Sequence, residues 1–341
     1  MLAGYRWSKA MSVGLAAAAL GAAACSGGDT ASARPRTSET SASSSPSPSA
    51  PPAVDPASVH ANEIGVVPVL MYHQFVAAPK GIYDQTPAQF KAELTRLYHQ
   101  GYRTITAADL VAGKIDVPAG KSPMVLTFDD ATTSQYGELP DGSVDPKSAL
   151  GILLAVGKAN GEEHPVATFY VNVEPFAGQD KYLQKLHDLG MEIGDHTLTH
   201  ANLGKLTDAG VQSEIAQNLA MIKTDVPGID VTTMALPLGV HPVNRKLASK
   251  GSFDGTSYDF KGVMLVGAGP APSPYSRKFN PLGIPRLLSG HDKSLFFGAT
   301  YWLNRIGATR YISDGDPEHI SFPKASAAKL APRFASRARP Y

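Results

Sequence analysis

The sequence predicts an α/β fold with a parallel, barrel-like sheet. Two features carry that expectation: short apolar runs of strand length alternate with amphipathic segments, and those segments open on capping residues and stop at glycines. Val66 to His73 is a nearly continuous apolar run, as expected of a buried parallel strand. Thr86-Pro87-Ala88-Gln89 then reads as a helix start, with Thr as N-cap, Pro in the first turn and Gln placed for a capping box. Phe90, Leu94, Leu97 and Tyr98 give that helix one apolar face, and Gly101 ends it. The pattern repeats: strand Tyr102 to Ile105, a helix start at Thr106 and Asp109, strand Met124 to Phe128, helix Ser148 to Val156, strand Val166 to Val171. Helix Lys181 to Leu189 stops at Gly190, strand Met191 to Ile193 follows, and helix Thr207 to Ile222 turns Val211, Ile215, Leu219 and Ile222 to one side. In such folds the functional site forms at the C-terminal ends of the strands.

A chain of 341 residues allows two domains or one α/β barrel with extensions, and a hydrophobic share of 43% supports a sizeable core. The 31 basic and 30 acidic residues nearly cancel, which argues against a nucleic-acid-binding protein. A single cysteine excludes an internal disulfide, a zinc ribbon and a Cys-x-x-Cys redox site.

The N-terminus accounts for that cysteine. Arg6 and Lys9 precede an uncharged run from Ala10 to Ala24, shorter than the roughly 20 residues of a membrane span, so residues 1–24 read as an export signal. Cys25, directly after small residues, resembles a bacterial lipoprotein processing site, although Ala22 stands where such sites usually carry Leu. The expectation is an outward-facing membrane lipoprotein; the alternative is ordinary secretion, with Cys25 discarded in the signal. Residues 25–62 are the lipidated Cys followed by a Ser-, Pro- and Ala-rich tether, too poor in large apolar residues to fold. Residues 63–290 form the main domain and 291–341 a C-terminal extension. The end of that extension, Lys324 to Tyr341, is basic and Ala-rich and reads as a fraying tail.

Two motifs at predicted strand ends carry chemistry. Leu126-Thr127-Phe128 runs into Asp129 and Asp130, and both carboxylates can serve one site only if the chain already turns there, because successive strand side chains face opposite ways. In Gly194-Asp195-His196-Thr197-Leu198-Thr199-His200 the two histidines are four apart and share a face. Two imidazoles and one carboxylate suit Zn²⁺ or a similar divalent ion with a coordination position left open.

Together, Thr127 to Asp130 and His196 to His200 resemble the polysaccharide deacetylase family, also called the NodB homology domain or carbohydrate esterase family 4. The likeness extends over roughly residues 64–290, through Val69-Leu70-Met71-Tyr72-His73, Gly101 to Ile105, Ala167 to Tyr170 and Leu236-Pro237-Leu238-Gly239, which are similar to pieces of lipoprotein-type members. The resemblance implies a NodB-type (β/α) barrel and metal-dependent removal of N-acetyl groups from a cell-envelope or extracellular polysaccharide. By the family pattern Asp130, His196 and His200 hold one divalent ion, Zn first and Co, Ni or Mn as alternatives. Asp129 is the general base on the activated water. The oxyanion donor is a backbone N–H within Pro237 to Gly239, with Leu238 where relatives often carry Tyr.

The general acid is assigned to His73, in a Leu-x-x-His frame that some members carry at the front of the domain; His291 is the alternative. Ala131 replaces the usual Gly after the Asp pair and suggests a different turn. The Arg that often pairs with the catalytic Asp is absent from Met234 to Gly239; Arg286 is a substitute from another loop or else a plain structural ion pair. His241 is a candidate rim residue, Asp195 a candidate to orient a ligand or cap its loop. Tyr72, Tyr136 and Trp302 are candidates to stack on a sugar. Two other functions stay open: an O-acetyl esterase on a polysaccharide such as xylan, and a non-catalytic carbohydrate-binding lipoprotein. The expected partners are an acetylated glycan and, through the lipid, the membrane; no nucleic acid is expected, and the chain reads as a monomer.

Overall fold

The structure is a computed structural model that describes residues 54–289 and 298–341, all within one compact unit. The expected export signal, Cys25, most of the expected tether and His291 lie outside the described residues.

Eight parallel strands build the sheet: β1 (Val69–Tyr72), β2 (Tyr102–Ile105), β3 (Ser122–Asp129), β4 (Thr168–Val171), β5 (Glu192–Asp195), β6 (Thr233–Ala235), β7 (Gly262–Ala268) and β8 (Ile284–Leu288). Seven of them close a ring in the order β1-β3-β4-β5-β6-β7-β8, with β8 pairing back onto β1. The remaining strand, β2, pairs with the first half of β3, from Ser122 to Val125. The second half of β3 pairs with β1 and β4. Thr104 Oγ1 accepts from Val166 N–H and Thr168 Oγ1 from Ala107 N–H, which fixes β2 at the foot of β4.

The connecting helices form where capping chemistry starts them. In α1 (Pro87–His99) Thr86 and Gln89 make the reciprocal capping box; α2 (Ala107–Ala112) repeats it with Thr106 and Asp109. Ser148 caps α3 (Ala149–Ala159), α4 spans Lys181–Asp188, and Thr207 caps α5 (Asp208–Asp225). Gly101 and Gly190, at φ +88° and +80°, take the left-handed conformation that ends the preceding helix.

Alternate strand residues separate two cores. Leu70, Tyr72, Leu126, Phe128 and Phe169 pack outward against the helices, while Val69, Val125, Tyr170, Ala235 and Met264 belong to a second cluster with the segments that close the foot. That foot is sealed by an antiparallel pair, Val66–Val67 against Ala271–Pro272.

The expectation that Lys324 to Tyr341 frays is overturned. Ala338–Pro340 pairs in parallel with Ile320–Phe322, Tyr341 O–H donates to Ala61 O, and Arg337 lies over the Tyr275 ring. Beneath the seal, the buried Glu63 carboxylate accepts from Ser321 N–H (2.7 Å) and Tyr311 O–H (3.0 Å), tying the start of the domain to its end.

Candidate active site

Asp129 is the last residue of β3 and points into the barrel mouth; Asp130, at φ +73°, has left the strand, so both carboxylates reach one site. Ala131, at φ +45°, keeps the left-handed backbone that glycine favours, so this residue strains the turn without changing its hand. Thr197 (+61°), His200 (+55°) and Leu238 (+59°) are likewise left-handed, a concentration of strain typical of functional sites.

Asp130, His196 and His200 converge, with ligand atoms all within 4.8 Å of one another. Asp130 Oδ1 lies 3.5 Å from His196 Nε2 and 3.7 Å from His200 Nε2. Ligands about 2.0–2.2 Å from a tetrahedral Zn²⁺ stand about 3.3–3.5 Å apart, so this spacing fits such an ion. His196 Nδ1 bonds the Ala235 carbonyl at 2.8 Å, which puts the proton on that nitrogen and leaves Nε2, buried and without a partner, as a lone-pair donor. Burial lowers the His196 pKa and keeps the ring neutral, as a ligand must be. Burial raises Asp130, against the pull of His196; a bound cation would bring it down. Asp130 and His200 are partly exposed, so the cluster opens to solvent.

Behind it, Arg286 rises from β8 through the closed barrel. Its Nη1 and Nη2 grip the two oxygens of Asp129 at 2.7 and 2.8 Å, Nη1 also reaches Thr127 Oγ1 at 3.1 Å, and Nε donates to Leu265 O. Burial would raise the Asp129 pKa, but Arg286, with His196 and His73 adding, holds it well below the ordinary carboxylate range. Arg286 thus supplies the guanidinium missing after β6, from a strand instead of a loop; fully buried, it cannot also touch substrate.

His73, one residue beyond β1, places Nε2 3.8 Å from Asp129 Oδ2, the same distance that separates His196 Nε2 from that oxygen. Burial lowers the His73 pKa, against the pull of Asp129, and keeps the imidazole uncharged. The turn after β6 follows Ala235, the residue that holds His196. Within it Gly239 N–H donates to Leu236 O and Val240 N–H to Pro237 O, which leaves Leu238 N–H free among the described residues.

Other candidates are corrected. Tyr72 is buried among Phe75, Phe90 and Phe128 and donates to Glu93, on the helix side of β1. Tyr136 is buried against Phe176 and Tyr182. Trp302 packs at Gly269, and Asp195 accepts from Thr197 N–H, capping its loop while Ala235 orients His196. His241 is half-buried, and no described contact ties it to the cluster.

Three residues that the motifs do not mark also serve the site. Buried Gln135 donates from Nε2 to the carbonyls of both His73 and Asp129, at 2.6 Å each, and so staples two strand ends. Asn172, the first residue past β4, reaches Asp130 Oδ1 at 3.4 Å, and the Tyr83 ring centroid lies 4.5 Å from that of His73. Asn172 was findable from its place at a strand end; Gln135 and Tyr83 sit in loops without a pattern.

The sequence profile of the polysaccharide deacetylase family matches residues 116–252, which contain Asp129, Asp130, His196 and His200. Residues 116–252 thus resemble a polysaccharide deacetylase domain. Among curated relatives, the chitooligosaccharide deacetylase of Rhizobium leguminosarum bv. phaseoli is 32% identical over 132 residues, 38% of this chain and 50% of that protein. The Bacillus subtilis protein YxkH, also named for polysaccharide deacetylation, is 26% identical over 155 residues, 45% of this chain and 50% of its own. The chain therefore spans about half the length of these curated deacetylases. The solved polysaccharide deacetylase BC0361 of Bacillus cereus superposes with a TM-score of 0.52 at 21% identity, over 71% of this chain and 69% of that one, which supports the deacetylase fold.

Proposed function

We propose that this protein is a metal-dependent hydrolase that removes N-acetyl groups from an amino-sugar polysaccharide of the cell envelope or its surroundings. The observation that carries the reading is the pairing of the Asp130–His196–His200 cluster with an Arg286-clamped Asp129 and with His73 3.8 Å away. A divalent cation held by those three residues, Zn²⁺ first with Co, Ni or Mn as alternatives, would supply Lewis-acid polarisation and acidified water when bound.

The chain's own groups account for the rest. Arg286 keeps Asp129 ionised and oriented, so that its Oδ2 can take a proton from water attacking the acetyl carbon. Leu238 N–H is the donor for the developing oxyanion. The proton that Asp129 takes from the water passes to His73 Nε2, 3.8 Å away, and from there to the leaving amine, so both groups end the cycle as they began it. Asp129 is a weak base at so low a pKa, so it gives up the proton readily and stays ready for the next turnover. The same reading places the domain outside the membrane, on the tether, with Cys25 lipidated and the chain monomeric.

The test is acetate release from matched N-acetylated and O-acetylated oligosaccharides, with chelation and metal restoration, and with Asp129→Asn as control. Release that survives both chelation and Asp129→Asn removes the reading. Faster release from esters than from amides would make the enzyme an O-acetyl esterase, and metal uptake without release would leave a binding protein.

A further inference from the structure

The other end of the barrel carries a cavity that the catalytic reading does not use. It has a volume of about 710 Å³, within the range of small-molecule sites, and lies beside the segment leading into the foot of β1. Ile64, Val66, Pro272, Ala308, Ile312 and Tyr341 give it a largely apolar wall. His60, Arg277, Lys278 and Lys329 stand exposed around it. Among the described residues no Asp or Glu side chain lines the cavity, and none of these four basic residues makes an ion pair with one. An apolar wall with an uncompensated basic rim suits a molecule with an apolar body and an anionic end.

The course of the chain selects among such molecules. Asn62, in the wall, belongs to the segment that follows the Ser26-to-Ala53 stretch, 28 residues with the composition of a tether. With Cys25 at a membrane, the cavity stays within reach of the lipid surface, and tethering raises the local lipid concentration it meets. We infer that this cavity binds a single acyl chain carrying an anionic headgroup, which would hold the foot of the barrel to the lipid and turn the mouth outward. The inference is independent of the reaction at the mouth.

The probe is lysophosphatidylglycerol below its micelle concentration, titrated into the full-length chain by calorimetry. Its comparators are lysophosphatidylcholine, with the same chain and no net charge, and glycerol phosphate, the headgroup alone. One saturable site is expected, with both comparators at least tenfold weaker. The pair Arg277→Glu with Lys329→Glu should weaken binding about tenfold, as should the cavity-filling Ala308→Trp, with acetate release unchanged in each. The apolar run Ala10 to Ala24 is common to all variants, so its own lipid binding cancels. Equal affinity for lysophosphatidylcholine, equal affinity for glycerol phosphate, or unaltered binding in the charge-reversed protein overturns the inference. Should Ala308→Trp fail to fold, Lys278→Glu, on an exposed side chain, tests the rim again, and unaltered binding there counts against it equally.

Discussion

Arg286 and Asp129 meet as a two-pronged ion pair inside the closed barrel, at 2.7 and 2.8 Å, although 157 residues separate them along the chain. The pair joins the last ring strand to the motif strand. Removing one partner strands a buried charge, so Arg286→Ala should cost about 3–5 kcal/mol of stability. Arg286→Lys keeps the charge and loses the fork, so deacetylation should fall more steeply than stability. Denaturant melts alongside kcat/KM for the two variants check this; wild-type turnover in Arg286→Lys would show that the fork does not matter.

His73→Ala should lower kcat by about 10² to 10⁴ if this imidazole protonates the leaving amine. The loss should shrink on an aryl acetate, whose leaving group needs no proton, while metal content stays stoichiometric. An equal loss on amide and aryl ester would assign His73 another role.

Asn172→Ala removes a contact to Asp130 without removing a ligand. Metal affinity should fall about 10-fold, the scale of losses when a ligand's supporting hydrogen bond is deleted. His196→Ala should abolish stoichiometric metal altogether. Competitive titration against a chelating dye separates the two outcomes.

The foot has its own pH signature. Burial pushes Glu63 up to about 8 despite the donors that converge on it. Between about 4.5 and about 8 the folded protein holds a proton that the unfolded chain has lost, so Glu63 makes stability fall as pH rises through that window. At about 1.4 kcal/mol per pKa unit the effect amounts to a few kcal/mol. Glu63→Gln should flatten this part of the curve in chemical denaturation from pH 5 to 9; an unchanged slope would place the titration elsewhere.

The candidate metal-binding cluster was legible in the sequence because Asp130, His196 and His200 lie in short motifs at strand ends, where the backbone alone decides which side chains share a space. Arg286 was harder. Pro285 argues against a central strand, and β8 tolerates it only because its register with β7 shifts between Met264 and Ala268. Nothing local tells an Ile-Pro-Arg segment that it will lie beside β1. Tyr72 shows a missed rule: as the neighbour of His73 along an extended segment it has to face the other way, into the helix layer. The docked C-terminus was invisible because its anchors, such as Arg337 over Tyr275 and Tyr341 on Ala61, depend on tertiary contacts and not on composition.

Ring closure between β8 and β1 sets the order in which the site is completed. A chain emerging from its N-terminus presents His73 first, then the carboxylates and the histidines, and Arg286 last. Until β8 docks, Asp129 has no guanidinium to hold it and the barrel has an open seam. Chains interrupted before that strand would carry every motif residue but neither the Arg286 clamp on Asp129 nor a closed ring.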